Sequence, residues 1–211
     1  MKVKDIINVI NVFDIDIHFD SKEEMFKKFS NGISLIFYFS PLNEKEIKKY
    51  ENSQNKYDYI SSTPSIHVPD LTIDELINTF ECSAGDLYNS TCKFISEFFI
   101  EDIPKDVVFV VFLFLHEVGH WMQFKKMDNH VCKYIDTDRK ESENNYYKLQ
   151  LLCKKRQERI SKGNLCNLTT NEKKAFEQIF TEYRQIPKEK EADEFAISQI
   201  KNILKIYKDN F

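Results

Sequence analysis

The chain has 211 residues, enough for one domain with a sizeable apolar core. Only four glycines and five prolines occur, which excludes collagen-like, fibrous and low-complexity architectures and favours long helices. Thirty lysines and arginines against 34 aspartates and glutamates leave a formal net charge of −4, so nothing draws the whole chain to phosphate backbones or anionic lipid, and nucleic acid is not an expected partner.

The first hundred residues mix strand and helix signals. Phe13 to Phe19 alternates apolar with acidic or polar side chains and predicts a strand. Ser21 to Phe29 opens on a serine with Glu24 three residues later, a capping box, and predicts a helix. A β-branched and aromatic run from Ile33 to Phe39 follows Asn31-Gly32 and predicts a second strand. Ser65 to Val68 is short and extended between two prolines. It is either an edge strand that aligns a peptide by main-chain hydrogen bonds or an ordinary core strand. Thr72 to Phe80 repeats the capping pattern with Glu75 and predicts a helix.

From Lys105 onward four helices are predicted, over 105–125, 139–161, 169–185 and 187–208. Thr169 to Glu172 caps the third, and Pro187 suits the first turn of the last. The charged block from Arg139 to Lys162 reads as a solvated helix face. These elements predict an α+β fold in a single domain over 1–211, with a mixed lobe at 1–104 and a helical lobe at 105–211.

Five cysteines, at 82, 92, 132, 153 and 166, form no CxxC pair, and Met1 to Asp5 leads into no signal-peptide core. Reduced thiols in a cytoplasmic protein are expected. The longest apolar run, Val107 to Leu115, is nine residues against roughly 20 for a membrane span, so it predicts a buried helix and no membrane partner.

That apolar segment contains His116-Glu117-Val118-Gly119-His120. On a helix, positions four apart differ by about 40° in azimuth, so both imidazoles leave one face a turn apart, as two ligands of one tetrahedral Zn²⁺ require. Glu117 lies about 100° round from His116, within reach of an attacking water rather than of the metal itself. A carboxylate there can take the water's proton and pass it to a leaving amine. Gln123 and Lys126 stand where an extended HExxHxxGxxH motif has its glycine and last histidine, so the third ligand comes from elsewhere.

The last helix offers Glu189, Glu191, Asp193 and Glu194. At 100° per residue, Glu189 lies on the midline of the stripe made by Ala192, Ala196, Ile200, Ile203, Leu204 and Tyr207, with Asp193 about 40° away and Glu191 and Glu194 on the polar side. Two carboxylates on a buried face call for a cation. Glu189 as third ligand, with Asp193 accepting from the far nitrogen of a ligating histidine, supplies that arrangement; an ordinary buried ion pair is the alternative.

HEVGHW at 116–121 followed by EKEADEFA at 189–196 resembles the gluzincin pattern HExxH then ExxA(D/N)xFA, shared by ImmA/IrrE-type metallopeptidases and by HtpX-like and CAAX-processing peptidases. The resemblance implies a zincin-like fold, zinc held by His116, His120 and Glu189, Glu117 as general base, and Asp193 at the family's acidic or amide position. It implies a protein or peptide substrate. By analogy with ImmA/IrrE-like relatives it points to regulatory proteolysis of a transcription regulator. Tyr183 and Arg184, just before the second motif, are candidate donors to the oxyanion of a tetrahedral intermediate, or else a packed tyrosine and a surface arginine. The alternative function is a non-catalytic zinc protein of the same fold that acts as an interaction or sensing module for a transcription regulator. His18, His67 and the pair His130 and Cys132 form no site by spacing.

Overall fold

A computed structural model describes residues 1–24, 37–83, 87–161 and 169–210. The chain is mixed α+β: a three-stranded sheet lies on a layer of helices. Helix α1 (Val3–Ile10) is followed by β1 (Asp16–Asp20), β2 (Tyr38–Ser40), α2 (Glu44–Glu51) and β3 (Ser65–Pro69). Then come α3 (Ile73–Ser83), α4 (Leu87–Phe94), α5 (Lys105–Lys126), α6 (Val131–Ser161), α7 (Thr170–Tyr183) and α8 (Pro187–Asn210).

The sheet order is β1-β3-β2, with β1 parallel to β3 and β2 antiparallel to it; Ile66 of β3 faces Ile17 on one side and Phe39 on the other. Ile66, Val68 and Phe39 point into the core, where α1 and α5 pack against the sheet. β3 is the central strand and buried along its whole length, which corrects the edge-strand alternative: both its edges are already bonded to neighbours. On the polar face, His67 pairs through Nδ1 with Asp20 Oδ2 at 3.0 Å, lies 3.3 Å from Ser65 Oγ through Nε2, and stacks on Tyr38 with ring centroids 4.4 Å apart.

Three helices sit beneath. α5 is long and apolar enough to cross a membrane by length and composition, yet 83% of that stretch is buried inside the protein. It is the core helix that the nine-residue apolar run predicts. α8 packs along it, and α1 covers both with Val3, Ile6, Ile7 and Ile10, all fully buried. The sequence assigned no helix at 3–10, although the apolar spacing there is helical. Nor did it assign α2 or α4.

Several boundaries differ from those predicted. The first predicted strand shrinks to Asp16–Asp20. Of the second, residues 33–36 lie outside the described residues and pairing begins at Tyr38. The helix predicted at 139–161 begins at Val131, right after a left-handed pair, Asp128 and Asn129 (φ 55° and 58°), that ends α5. Ser21 and Glu24 make the predicted capping pair, Glu24 N–H donating to Ser21 Oγ at 3.3 Å, while 25–29 fall outside the described residues. Thr169 and Glu172 cap α7 reciprocally.

A buried carboxylate fastens α2 to the loop before β3. Glu46, 5% exposed, accepts from Ser61 Oγ (2.8 Å), Ser62 N (2.9 Å), Ser62 Oγ (3.0 Å) and Thr63 Oγ1 (2.6 Å). Burial opposes its charge, but the bonds from Thr63, Ser62 and Ser61 outweigh it and hold its pKa below the ordinary 4.5. A depressed carboxylate contributes stability that is complete above its unfolded pKa and lost as pH falls through its folded pKa. Urea unfolding should therefore show stability falling as the pH is taken below about 4.5. Glu46→Gln, which turns one acceptor into a donor facing donors, should cost about 1–3 kcal/mol at pH 7 and flatten that acid limb. An unchanged acid limb in the variant would remove Glu46 from this role.

Candidate metal centre

The centre forms where α5 and α8 pack tightly together. Gly119 permits the approach: a Cβ there would lie 2.8 Å from Ala192 Cα and 3.0 Å from Ala192 O. His116 and His120 project from α5 on either side of that point, and Glu189 projects from the first turn of α8, where the helix dipole favours an anion. His116 Nε2, His120 Nε2 and Glu189 Oε2 make a nearly equilateral triangle, with edges of 3.1, 3.2 and 3.2 Å. All three residues are buried together, and they could hold a metal ion.

The outer nitrogens decide what the triangle contains. His116 Nδ1 lies 2.9 Å from Asp193 Oδ1, which can only accept when ionised, so Nδ1 carries the hydrogen. His120 Nδ1 lies 3.0 Å from Gln123 Oε1, and the Gln123 amide is oriented by its Nε2 donating to Lys188 O at 2.6 Å. Nδ1 of His120 is therefore a donor too. In the neutral tautomers both Nε2 lone pairs then face a carboxylate oxygen, and three electron-rich atoms meet with no hydrogen between them. Such a buried cluster calls for positive charge, which a second proton on His116 or a bound metal ion can supply.

Its electrostatics agree. Burial works against a charge on His116, yet its hydrogen bonds to Asp193 and Glu189 prevail and lift its pKa to about 10. Burial likewise opposes ionisation of Glu189, but His120 and His116 hold its carboxyl well below the usual range. Asp193 is lowered in the same way, with His116 and Arg184 overcoming its burial. The centre attracts positive charge before any metal is considered.

The acids of α8 divide as helical azimuth indicates. Glu189 and Asp193 are 3% and 4% exposed. The Glu191 and Glu194 side chains are 48% and 66% exposed and pair outward with Lys126 and Lys190. Glu117 is also buried, and its Oε2 accepts the Phe39 N–H of the edge strand β2 at 2.8 Å. Tyr183 ends α7 close to Glu189; burial and that carboxylate push its phenol well above the usual range, so it keeps its proton. Arg184 turns the other way, with Nη1 donating to Asp193 Oδ2 at 2.7 Å.

Several participants were not legible as such. Gln123 figured in the sequence only as a departure from a longer motif, although its place three residues after His120 puts it on the same helix face. Tyr134 of α6 and Lys188 flank the site, the Lys188 ammonium lying 5.0 Å from the Tyr134 ring centre and 2.5 Å from Asp138 Oδ1. Burial first, then Asp138, Glu117 and Glu189, raise the Tyr134 phenol well above its ordinary value. No sequence signal marks the Phe39 amide, which depends on how β2 meets α5.

Compared with known proteins, the chain matches no family model, no curated protein and no solved structure.

The Gly119 approach is the most exposed mechanical feature of this geometry, because a methyl there meets backbone rather than a yielding side-chain end. Gly119→Ala should push α8 off α5, cost about 1–3 kcal/mol in urea unfolding, and weaken the binding of any divalent metal ion the site takes by about tenfold or more in chelator competition. Unchanged metal affinity would show that the triangle of His116, His120 and Glu189 does not depend on this contact.

Proposed function

We propose that the protein is a zinc metallopeptidase of gluzincin type with a zincin-like fold. The observation that carries this reading is the ligand triangle. A tetrahedral zinc ion with bonds of about 2.0–2.1 Å sets its ligands roughly 3.3 Å apart, close to the edges observed. Three protein ligands leave a fourth position for water or substrate, the composition of a catalytic rather than a structural zinc site. Two nitrogens and one oxygen suit zinc, and the buried Nδ1 partners fix the tautomers a metal needs.

Zinc, when bound, supplies Lewis acidity and brings the pKa of a coordinated water to about 7. The remaining chemistry falls to the chain. Glu117 takes the proton of the attacking water and delivers it to the leaving amine, and the Phe39 N–H keeps that carboxylate aimed. Tyr183 keeps its proton and sits against Glu189, a position from which its O–H can donate to a developing oxyanion. No covalent intermediate is required. The substrate is a protein or peptide, a transcription regulator by the gluzincin resemblance alone, and the setting is the cytoplasm.

Glu117→Gln separates catalysis from metal holding. It should keep zinc and fold but lower peptide-bond hydrolysis by about 10²–10⁴-fold, read by mapping cleaved protein termini in cells that express wild type or variant. Undiminished cleavage would reject Glu117 as the base. Undiminished biological activity with no cleavage in either strain would support the zinc-holding interaction module instead.

A further inference from the structure

We infer that Arg184 is a positioning residue for the metal centre: its guanidinium fork, held between Asp193 and Thr91, locks the Asp193 carboxylate that orients His116. The inference rests on the metal-site reading above and assigns Arg184 a part other than oxyanion donor.

Both oxygens of Asp193 are engaged. Oδ1 accepts from His116 Nδ1 at 2.9 Å, and Oδ2 accepts from Arg184 Nη1 at 2.7 Å. The second arm of the fork, Nη2, donates at 3.1 Å to Thr91 Oγ1 on α4, and Thr91 is 1% exposed. The guanidinium carbon lies 4.5 Å from the centre of the Phe94 ring and 5.5 Å from that of Phe112, one turn before His116. Two hydrogen bonds in different directions and two ring faces hold this fork in place.

The consequence for the histidine is direct. A buried carboxylate with one oxygen unpaired would rotate or recruit water, and the ring it holds would lose its fixed orientation. With Arg184 in place, α4, α7 and α8 are tied to one imidazole on α5. His120 has a neutral amide, Gln123, in the corresponding position, so the charged relay serves one ligand only. A lysine could keep a cation beside Asp193 but could not bond Asp193 and Thr91 with a planar fork.

The test is zinc affinity, measured on the full chain by competition with a chromophoric chelator. Arg184→Gln should raise the zinc dissociation constant about tenfold and Asp193→Asn by about 10–100-fold. The double variant should bind no more weakly than Asp193→Asn alone, because one residue acts through the other. Arg184→Lys, the milder change should the glutamine variant fail to fold, should weaken zinc a few-fold. Zinc affinity unchanged in either Arg184 variant, or additive losses in the double variant, would overturn the inference. Lost turnover with zinc affinity unchanged would overturn it in favour of an oxyanion donor. A wild-type protein that binds no zinc would fell the metal-site reading itself, whereas tight wild-type binding matched by Arg184→Gln fells this inference alone.

Discussion

Three lone-pair-bearing atoms, two imidazole nitrogens and one carboxylate oxygen, are held within 3.2 Å of one another in a buried space between two helices. With both rings neutral they repel, so the fold must hold them together and positive charge, a second proton on His116 or a metal ion, must join them. The surrounding structure does the first and prepares for the second. Gly119, facing the Ala192 backbone, lets α5 and α8 approach backbone to backbone at the level of the site. Asp193 and Gln123 take the outer hydrogens of the two rings and turn their lone pairs inward. The three atoms so arranged could hold a metal ion.

The rest of the fold reads as support for that contact. α5 is buried along most of its length by the sheet, α1 and α8, which makes it a rigid mount; ligands on rigid elements hold geometry better than ligands on loops. α8 needs its own anchorage, because its first turn carries Glu189. That anchorage comes from α6, whose Glu141 accepts from the Lys188 N–H at 3.1 Å and whose Asp138 pairs with the Lys188 ammonium. α6 in turn is tied to α7 by Asn145, which donates to Ile179 O at 3.0 Å. The long charged stretch between the two motifs therefore is not merely solvated: one of its sides fastens the ligand helix.

The parts of this arrangement that were legible are the ones governed by a helix's own period. The spacing of His116 and His120 and the azimuths of Glu189 and Asp193 against Glu191 and Glu194 need only 100° per residue, and their burial follows that division. The α+β class followed from strand signals confined to the first half. What stayed hidden depends on tertiary contact. Phe39 N–H reaching Glu117 requires β2 to lie beside α5, and Arg184 reaching both Asp193 and Thr91 requires α4, α7 and α8 to meet. The His67, Asp20 and Tyr38 cluster needs the register of three strands. α4 was missed because Leu87 to Phe94 carries asparagine, serine, threonine and cysteine, weak helix formers that packing overrides.

The central claim is that two imidazoles and one carboxylate of this chain share a single zinc ion. X-ray absorption at the zinc edge of the zinc-loaded protein tests it most directly. The account predicts a first shell of two imidazole nitrogens and one or two oxygens at about 2.0–2.1 Å, with the outer-ring scattering that imidazole produces. A shell containing sulfur at about 2.3 Å, or one of oxygens alone, would place the metal elsewhere and contradict it.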